Sequence, residues 1–242
     1  MKLDFAGNTD KGIVRSVNQD AYHVDPKGRF FIVADGMGGH AGGQEASRIA
    51  TDTIQAYLDK YWDKPLESSV LLENAFWEAN EAILRDQMAH KDRADMGTTA
   101  VVLIFRDPGK PYCANIGDSR LYRLREDKLT QVTEDQTWVA QAVKRQALTL
   151  EQARVHPWRH VLSQCLGRED LQEIDIMQLE VKVGDRFLLC SDGLTEELSD
   201  DLICSPFFSI ENCDMATTAL INAAKQKGGR DNITVVIINV DG

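Results

Sequence analysis

The 242 residues carry 38 acidic against 27 basic side chains, and the formal charge of −11 argues against nonspecific attachment to nucleic acid or to an anionic membrane surface. With 43% hydrophobic residues, no Pro-, Gly- or Ser-rich linker and no internal repeat, the chain reads as one large globular domain over residues 1–242. Five cysteines without a Cys-x-x-Cys pair suggest neither a disulfide framework nor a structural zinc site, no run has the length of a signal core or a membrane span, and the expected setting is a reducing cytoplasm with a monomer as the default state.

Residues 21–25 and 29–34 read as short strands joined by a Pro-Lys-Gly turn, a hairpin. After a glycine-rich loop, Ala46, Ile49, Ala50, Ile54, Tyr57, Leu58 and Tyr61 recur at helical spacing, and Leu72, Ala75, Phe76, Ala79 and Ile83 repeat it, so two amphipathic helices are expected in succession. Over residues 98–105, 112–116, 121–125 and 128–132, β-branched and aromatic residues between turn residues describe an antiparallel meander. The polar and aromatic segment 134–167 is expected to form a surface subdomain, in which Thr149 and Gln152 have the spacing of a capping box. Strands at 176–181 and 186–190 precede a helix with Met215, Ala216, Ala219, Leu220, Ala223 and Ala224 on one face, Asp214 as N-cap and Gly228-Gly229 as stop. Residues 232–240 close the chain as a buried strand. Strand blocks interleaved with paired helices predict an α+β fold of two packed sheets with helices outside.

Four aspartates stand at the ends of apolar runs: Asp35 after Phe-Phe-Ile-Val-Ala, Asp118 after Ala-Asn-Ile-Gly, Asp192 after Phe-Leu-Leu-Cys-Ser, and Asp231 before the closing strand. Carboxylates gathered at one sheet rim repel, a divalent cation relieves the repulsion, and all-oxygen ligation points to Mg²⁺ or Mn²⁺ rather than zinc. With Asp20 the set numbers five, enough to hold two or three hard cations and to acidify a bridging water that attacks phosphorus. The glycines of Val33-Ala34-Asp35-Gly36-Met37-Gly38-Gly39-His40 let the Gly36 carbonyl face a cation, and the absence of Gly-Lys-Ser/Thr argues against nucleotide binding. Arg15 offers a fork for phosphate oxygens, and His40 and His160 are candidates for proton donation or substrate contact. Cys113 and Arg120 have one residue too many between them for a cysteine-nucleophile phosphatase loop, and no Asp-x-Asp, His-Glu-x-x-His or Gly-x-Ser-x-Gly motif occurs.

Asn18-Gln19-Asp20, Val33-Ala34-Asp35-Gly36-Met37-Gly38-Gly39, Met96-Gly97-Thr98-Thr99, Gly117-Asp118-Ser119-Arg120, Ser191-Asp192-Gly193 and Gly229-Arg230-Asp231-Asn232 occur in the order seen in the metal-dependent protein phosphatase 2C (PPM) family. The chain resembles its bacterial single-domain branch, cyanobacterial members in particular, over nearly its full length. The resemblance implies a four-layer α-β-β-α sandwich with a metal centre at one end. Asp35 would bridge two ions, the Gly36 carbonyl and Asp20 would serve one, Asp192 and Asp231 the other, and Asp118 with Asp192 a weaker third. Arg15 matches the substrate-phosphate arginine, and segment 134–167 the flap that carries His160. Three positions depart from the pattern: Met37 fills the slot where many eukaryotic relatives hold a general-acid histidine, leaving His40 as the nearest candidate; Gln136 stands where bacterial relatives commonly show histidine; and Gln146 replaces a flap glycine.

The leading expectation is a serine/threonine protein phosphatase that hydrolyses phosphoproteins with metal-activated water and no covalent phosphoenzyme. By resemblance alone, a PII-type nitrogen-signalling protein is a candidate substrate. The alternatives are a catalytically silent phosphoprotein-binding module, against which the presence of Asp35, Asp192 and Asp231 argues, and a small-metabolite phosphatase, which turnover on sugar phosphates would identify.

Overall fold

The computed structural model describes residues 1–39, 42–107 and 109–242. The expected hairpin is β2 (Asp20–Val24) against β3 (Phe30–Met37), and the two helices that follow are α1 (Gly42–Tyr61) and α2 (Ser68–Ala89). Strand β4 (Gly97–Thr98) pairs with β3, while β5 (Ala100–Asp107) and β6 (Lys110–Ile116) continue the same sheet. The expected four-stranded meander is broken after β6: β7 (Arg120–Arg125) and β8 (Lys128–Gln131) pair in a different sheet. Two consecutive hairpins look alike in sequence whether or not they share a sheet, and here Gly117-Asp118-Ser119 carries the chain from one sheet to the other.

Segment 134–167 holds α3 (Trp138–Lys144) and α4 (Leu150–Arg154), and Thr149 forms the expected capping box with Gln152. Beyond it come β9 (Asp175–Gln178), shorter than expected, β10 (Arg186–Cys190), α5 (Asp192–Thr195), α6 (Asp200–Ser209), α7 (Cys213–Lys227) and β11 (Ile233–Asp241). Gly228 ends α7 as expected, but its N-cap is Asn212, whose Oδ1 accepts from the Met215 N–H at 2.9 Å; Asp214 lies inside the first turn. The sequence reading missed β1 (Lys2–Asp10), whose polar run becomes a strand because it pairs along its whole length with β11.

The strands form a five-stranded sheet, β1-β11-β10-β7-β8, and a six-stranded one, β2-β3-β5-β6-β9 with β4 added beside β3. Their apolar runs alternate between two buried faces, which is why they show no polar alternation. Phe31 and Val33 of β3, Leu103 of β5, Leu189 of β10 and Val236 and Ile238 of β11 meet between the sheets. Phe30 and Ile32 point the other way onto α1 and α2, and Val235 and Ile237 onto α7 and its neighbours. Each such side chain contributes about 1.5–3 kcal/mol by leaving water. The result is the expected four-layer α-β-β-α arrangement. Among the described residues, no helix is long and apolar enough to cross a membrane.

Candidate metal centre and substrate site

The five candidate ligand aspartates lie at or near strand ends, or where the chain crosses between the sheets. β2 and β3 pair with Asp20 opposite Asp35, which puts both carboxylates on one face of the rim. A Cβ on Gly36 would lie 1.8 Å from the Gly43 carbonyl oxygen, so only glycine lets the start of α1 close against Asp35-Gly36. Asp192 follows β10 and Asp231 precedes β11, its pairing partner. A Cβ on Gly193 would lie 2.0 Å from the Asn232 carbonyl oxygen, so these two turns touch only because position 193 is bare. Asp118 joins them from the crossing between the sheets.

The remaining motif residues hold these carboxylates in place. The Asp35 N–H donates to Thr99 Oγ1 at 3.0 Å, the Asp35 carbonyl accepts from the Thr99 N–H at 2.9 Å, and Thr99 Oγ1 lies 2.6 Å from Ser119 Oγ, beside Asp118. One buried threonine thereby links the backbone of Asp35 to the turn of Asp118. Ser191 and Thr234 hydroxyls donate to Asp20 Oδ2 at 2.7 and 2.6 Å. Asn232 donates to the Lys11 and Val17 carbonyls, both at 2.9 Å, and accepts from the Gln19 N–H at 2.8 Å, pinning the loop that carries Arg15. Gln136 brackets Gly117 with two 2.9 Å bonds, one from the Gly117 N–H to Oε1 and one from its own N–H to the Gly117 carbonyl. Its Nε2 donates to Asp175, and its carbonyl accepts from Ser163 of the 134–167 segment.

Burial raises the Asp35 carboxyl well above the usual range, and Asp20, Asp192, Asp118 and Asp231 all add to the effect. Asp118 is raised by burial and by Asp192 and Asp135. Burial pushes Asp20 up to about 7 even though Thr234 and Ser191 stabilise its anion, and it pushes Asp192 up to about 6 with help from Asp231. Asp20 Oδ1 is buried with no hydrogen-bond partner among the described residues. An orphaned carboxylate oxygen inside a mutually repelling, all-oxygen cluster is the environment a hard divalent cation satisfies, so the residues present fit Mg²⁺ or Mn²⁺.

Arg15 Nη2 lies 2.6 Å from Asp231 Oδ2 while half its side chain stays exposed, which places its guanidinium at the rim of the cluster. His160 reaches the same rim, with Nδ1 against Glu196 Oε1. One ligand atom each from His160, Asp192 and Glu196 falls within 4.8 Å of the others. Glu196 is pushed up to about 7 by burial and by Asp192, and His160 is lowered by burial and Arg159. Sequence reasoning missed Glu196, although its place four residues after Asp192 at the end of one helical turn was a legible signal. His40 lies outside the described residues. Cys113 is buried between the sheets with its thiol pushed far up, and Arg120 is committed to Asp135 at 2.8 and 2.6 Å, which excludes a cysteine nucleophile at that pair.

A family model for protein phosphatase 2C matches residues 13–228. The chain is 36% identical to the serine/threonine protein phosphatase PstP of Mycobacterium tuberculosis over 98% of its own length, and spans about half (45%) of that relative. It is 35% identical to the protein phosphatase PhpP of Streptococcus pneumoniae, covering 96% of each chain. The crystal structure of the M. tuberculosis phosphatase superposes with a TM-score of 0.90 at 35% identity, covering 99% of both chains. A second structure, the PstP catalytic domain with two manganese ions, gives 0.88 at 34% identity, again over 99% of both. With the family model matching most of the chain and the fold shared throughout, this chain belongs to the protein phosphatase 2C family.

Proposed function

We propose that this chain is a metal-dependent serine/threonine protein phosphatase, a single domain over residues 1–242 with segment 134–167 as its flap. The observation that carries the reading is the convergence of Asp20, Asp35, Asp118, Asp192 and Asp231 on one rim, with a buried, unpartnered Asp20 oxygen inside and Arg15 at the edge. The PstP catalytic domain with two manganese ions supports Mn²⁺ or Mg²⁺ as the cofactor. Asp192 and Asp231 would hold one ion, Asp20 and the Gly36 carbonyl the other, with Asp35 shared between them. Asp118 with Asp192 would hold a weaker third.

When bound, the ions supply positive charge toward phosphoryl oxygens and acidify water. The chain's own groups orient the reaction. Arg15 is free on half its surface to clamp a phosphate with its remaining N–H groups. His160 faces incoming substrate from the flap and lies against Glu196, whose carboxyl is pushed up to about 7 by burial and by Asp192. His40 stays a candidate general acid from its place in the sequence. The substrate would be a phosphoserine or phosphothreonine protein, with a PII-type signalling protein as one candidate, and the enzyme would act as a cytoplasmic monomer.

The test is hydrolysis of a phosphothreonine peptide with Mn²⁺, with Mg²⁺ and with excess chelator, alongside Asp192→Asn. Turnover that chelator and the substitution both abolish supports the reading. A folded, metal-binding protein with no turnover under any metal rejects it.

A further inference from the structure

The two helices of the 134–167 segment, α3 and α4, pack on each other. Val139 and Ala142 of α3 and Ala153 of α4 are buried, yet none of them belongs to any of the three cores. The stem of the segment is well tied: Asp135 holds Arg120, and Gln136 bonds to Gly117 and Asp175. Beyond that stem, the hydrogen bonds and ion pairs of residues 138–161 stay within the segment, with one exception among the described residues: His160 Nδ1 against Glu196 Oε1. The two ends of this contact differ in rigidity. His160 stands in a run of turns, in which the Arg159 N–H donates to the His156 carbonyl and the Val161 N–H to the Trp158 carbonyl, both at 3.1 Å, and its side chain is 42% exposed. Glu196 caps the single turn of α5, its N–H donating to the Asp192 carbonyl at 2.8 Å, and α5 is fixed by Leu194 in the core and by Gly193 against Asn232. The neighbouring Glu197 is committed elsewhere, accepting from the Arg230 N–H and Nε at 3.0 and 2.8 Å.

We infer that Glu196 is a positioning residue: it docks the distal part of the segment onto α5 and holds His160 over the rim of the metal centre. That His160 then meets substrate rests on the phosphatase reading above, whereas the docking itself does not. Because α5 starts with Asp192, the side chain that anchors the segment and a candidate metal ligand leave the same helical turn. The short separations among His160, Asp192 and Glu196 therefore place the ring at the cluster only while the contact is made. An untethered imidazole on such a turn samples several rotamers on a swinging backbone. The Glu196 carboxylate selects the pose that faces the cluster, so less ordering is left for substrate to supply.

The experiment compares the wild type with Glu196→Ala, Glu196→Gln, His160→Ala and the double variant His160→Ala/Glu196→Ala. It reads kcat and KM for a phosphothreonine peptide in Mn²⁺, and the rate of tryptic cleavage after Arg145 and Arg154. Glu196→Ala should lower kcat/KM about three- to tenfold, mainly through KM, and speed cleavage about two- to tenfold. Glu196→Gln, which still hydrogen-bonds an imidazole, should keep most of the activity and most of the protection. The double variant should match His160→Ala within about twofold, because Glu196 acts through that ring. Losses that add in the double variant, a Gln variant as impaired as Ala, or cleavage unchanged by either single Ala substitution overturn the inference and leave the phosphatase reading standing. A wild type that hydrolyses nothing overturns that reading instead, and the cleavage rates of the same variants then decide the docking by themselves.

Discussion

Asp20 lies directly opposite Asp35 across the β2–β3 pair, so the hairpin that builds the sheet also brings two carboxylates together at its rim. Burial and mutual repulsion make this arrangement costly without a cation. Asp35→Asn should therefore stabilise the metal-free protein at pH 7.5, on the order of 2 kcal/mol, while lowering activity about a thousandfold. Thermal melting in chelator, paired with Mn²⁺ titration calorimetry, checks this: an Asn variant that is less stable without metal, or that binds Mn²⁺ normally, contradicts it.

The pH dependence of the metal-free protein follows from the same groups. Asp20 at about 7 and Asp192 at about 6 stand above their ordinary value of 3.8. A raised carboxyl contributes stability that is full below its unfolded value and is lost as pH rises through the folded one. Carboxylates lowered by partners, such as Asp25 held by Arg29 against the opposing effect of its burial, act only below about pH 4; within the window Glu196, pushed up to about 7, adds to the fall, while His23 and His160, lowered by burial, oppose it in part. In chelator the melting temperature should fall by about 5 °C between pH 5 and pH 8. Saturating Mn²⁺ should flatten that slope, and a slope unchanged by metal would count against a cation in the cluster.

Thr99 joins the backbone of Asp35 to Ser119 and so to the Asp118 turn. Thr99→Val keeps the shape and removes both bonds. It should cost about 1–3 kcal/mol of stability and weaken Mn²⁺ affinity about ten- to a hundredfold. Denaturant melts with Mn²⁺ titration separate the two effects, and Thr99→Ser should recover most of the affinity.

Gln136 ties the Gly117-Asp118 turn to Asp175 and to Ser163 of the 134–167 segment. Gln136→Leu leaves the buried Gly117 N–H without its acceptor, an expected loss of about 2 kcal/mol. Hydrogen exchange should rise at residues 117–119 and 174–176 together, because the lost side chain joins Gly117 to Asp175 while its main-chain bond to Ser163 stays. Exchange confined to one of the two segments would show that they are not coupled through this side chain.

Gln146 adopts φ +58°, in the left-handed region where glycine is at ease. Gln146→Gly should leave proteolytic resistance of residues 138–160 intact, whereas Gln146→Val should cost about 1–2 kcal/mol and speed cleavage there. Equal cleavage in both variants would mean that backbone strain at this position has no effect on the segment.

The apolar runs with an aspartate at one end announced buried strands and a metal-ready rim, because a carboxylate beside such a run has few other reasons to be there. Helical spacing in residues 46–61 and 72–83 was equally direct, and Thr149 with Gln152 carried its cap in plain view. Those signals are local, set by side-chain period and backbone conformation within a few residues. Three features were decided only by the tertiary structure. The chain changes sheets at Asp118, and β1 becomes a strand through its pairing with β11. Glu196 meets His160 only once the 134–167 segment folds back over α5. Asp20, Asp35, Asp118, Asp192 and Asp231 span most of the chain, and the raised carboxyls of Asp20, Asp35, Asp118 and Asp192 come from burial and from an approach that strand pairing and the crossing between the sheets impose.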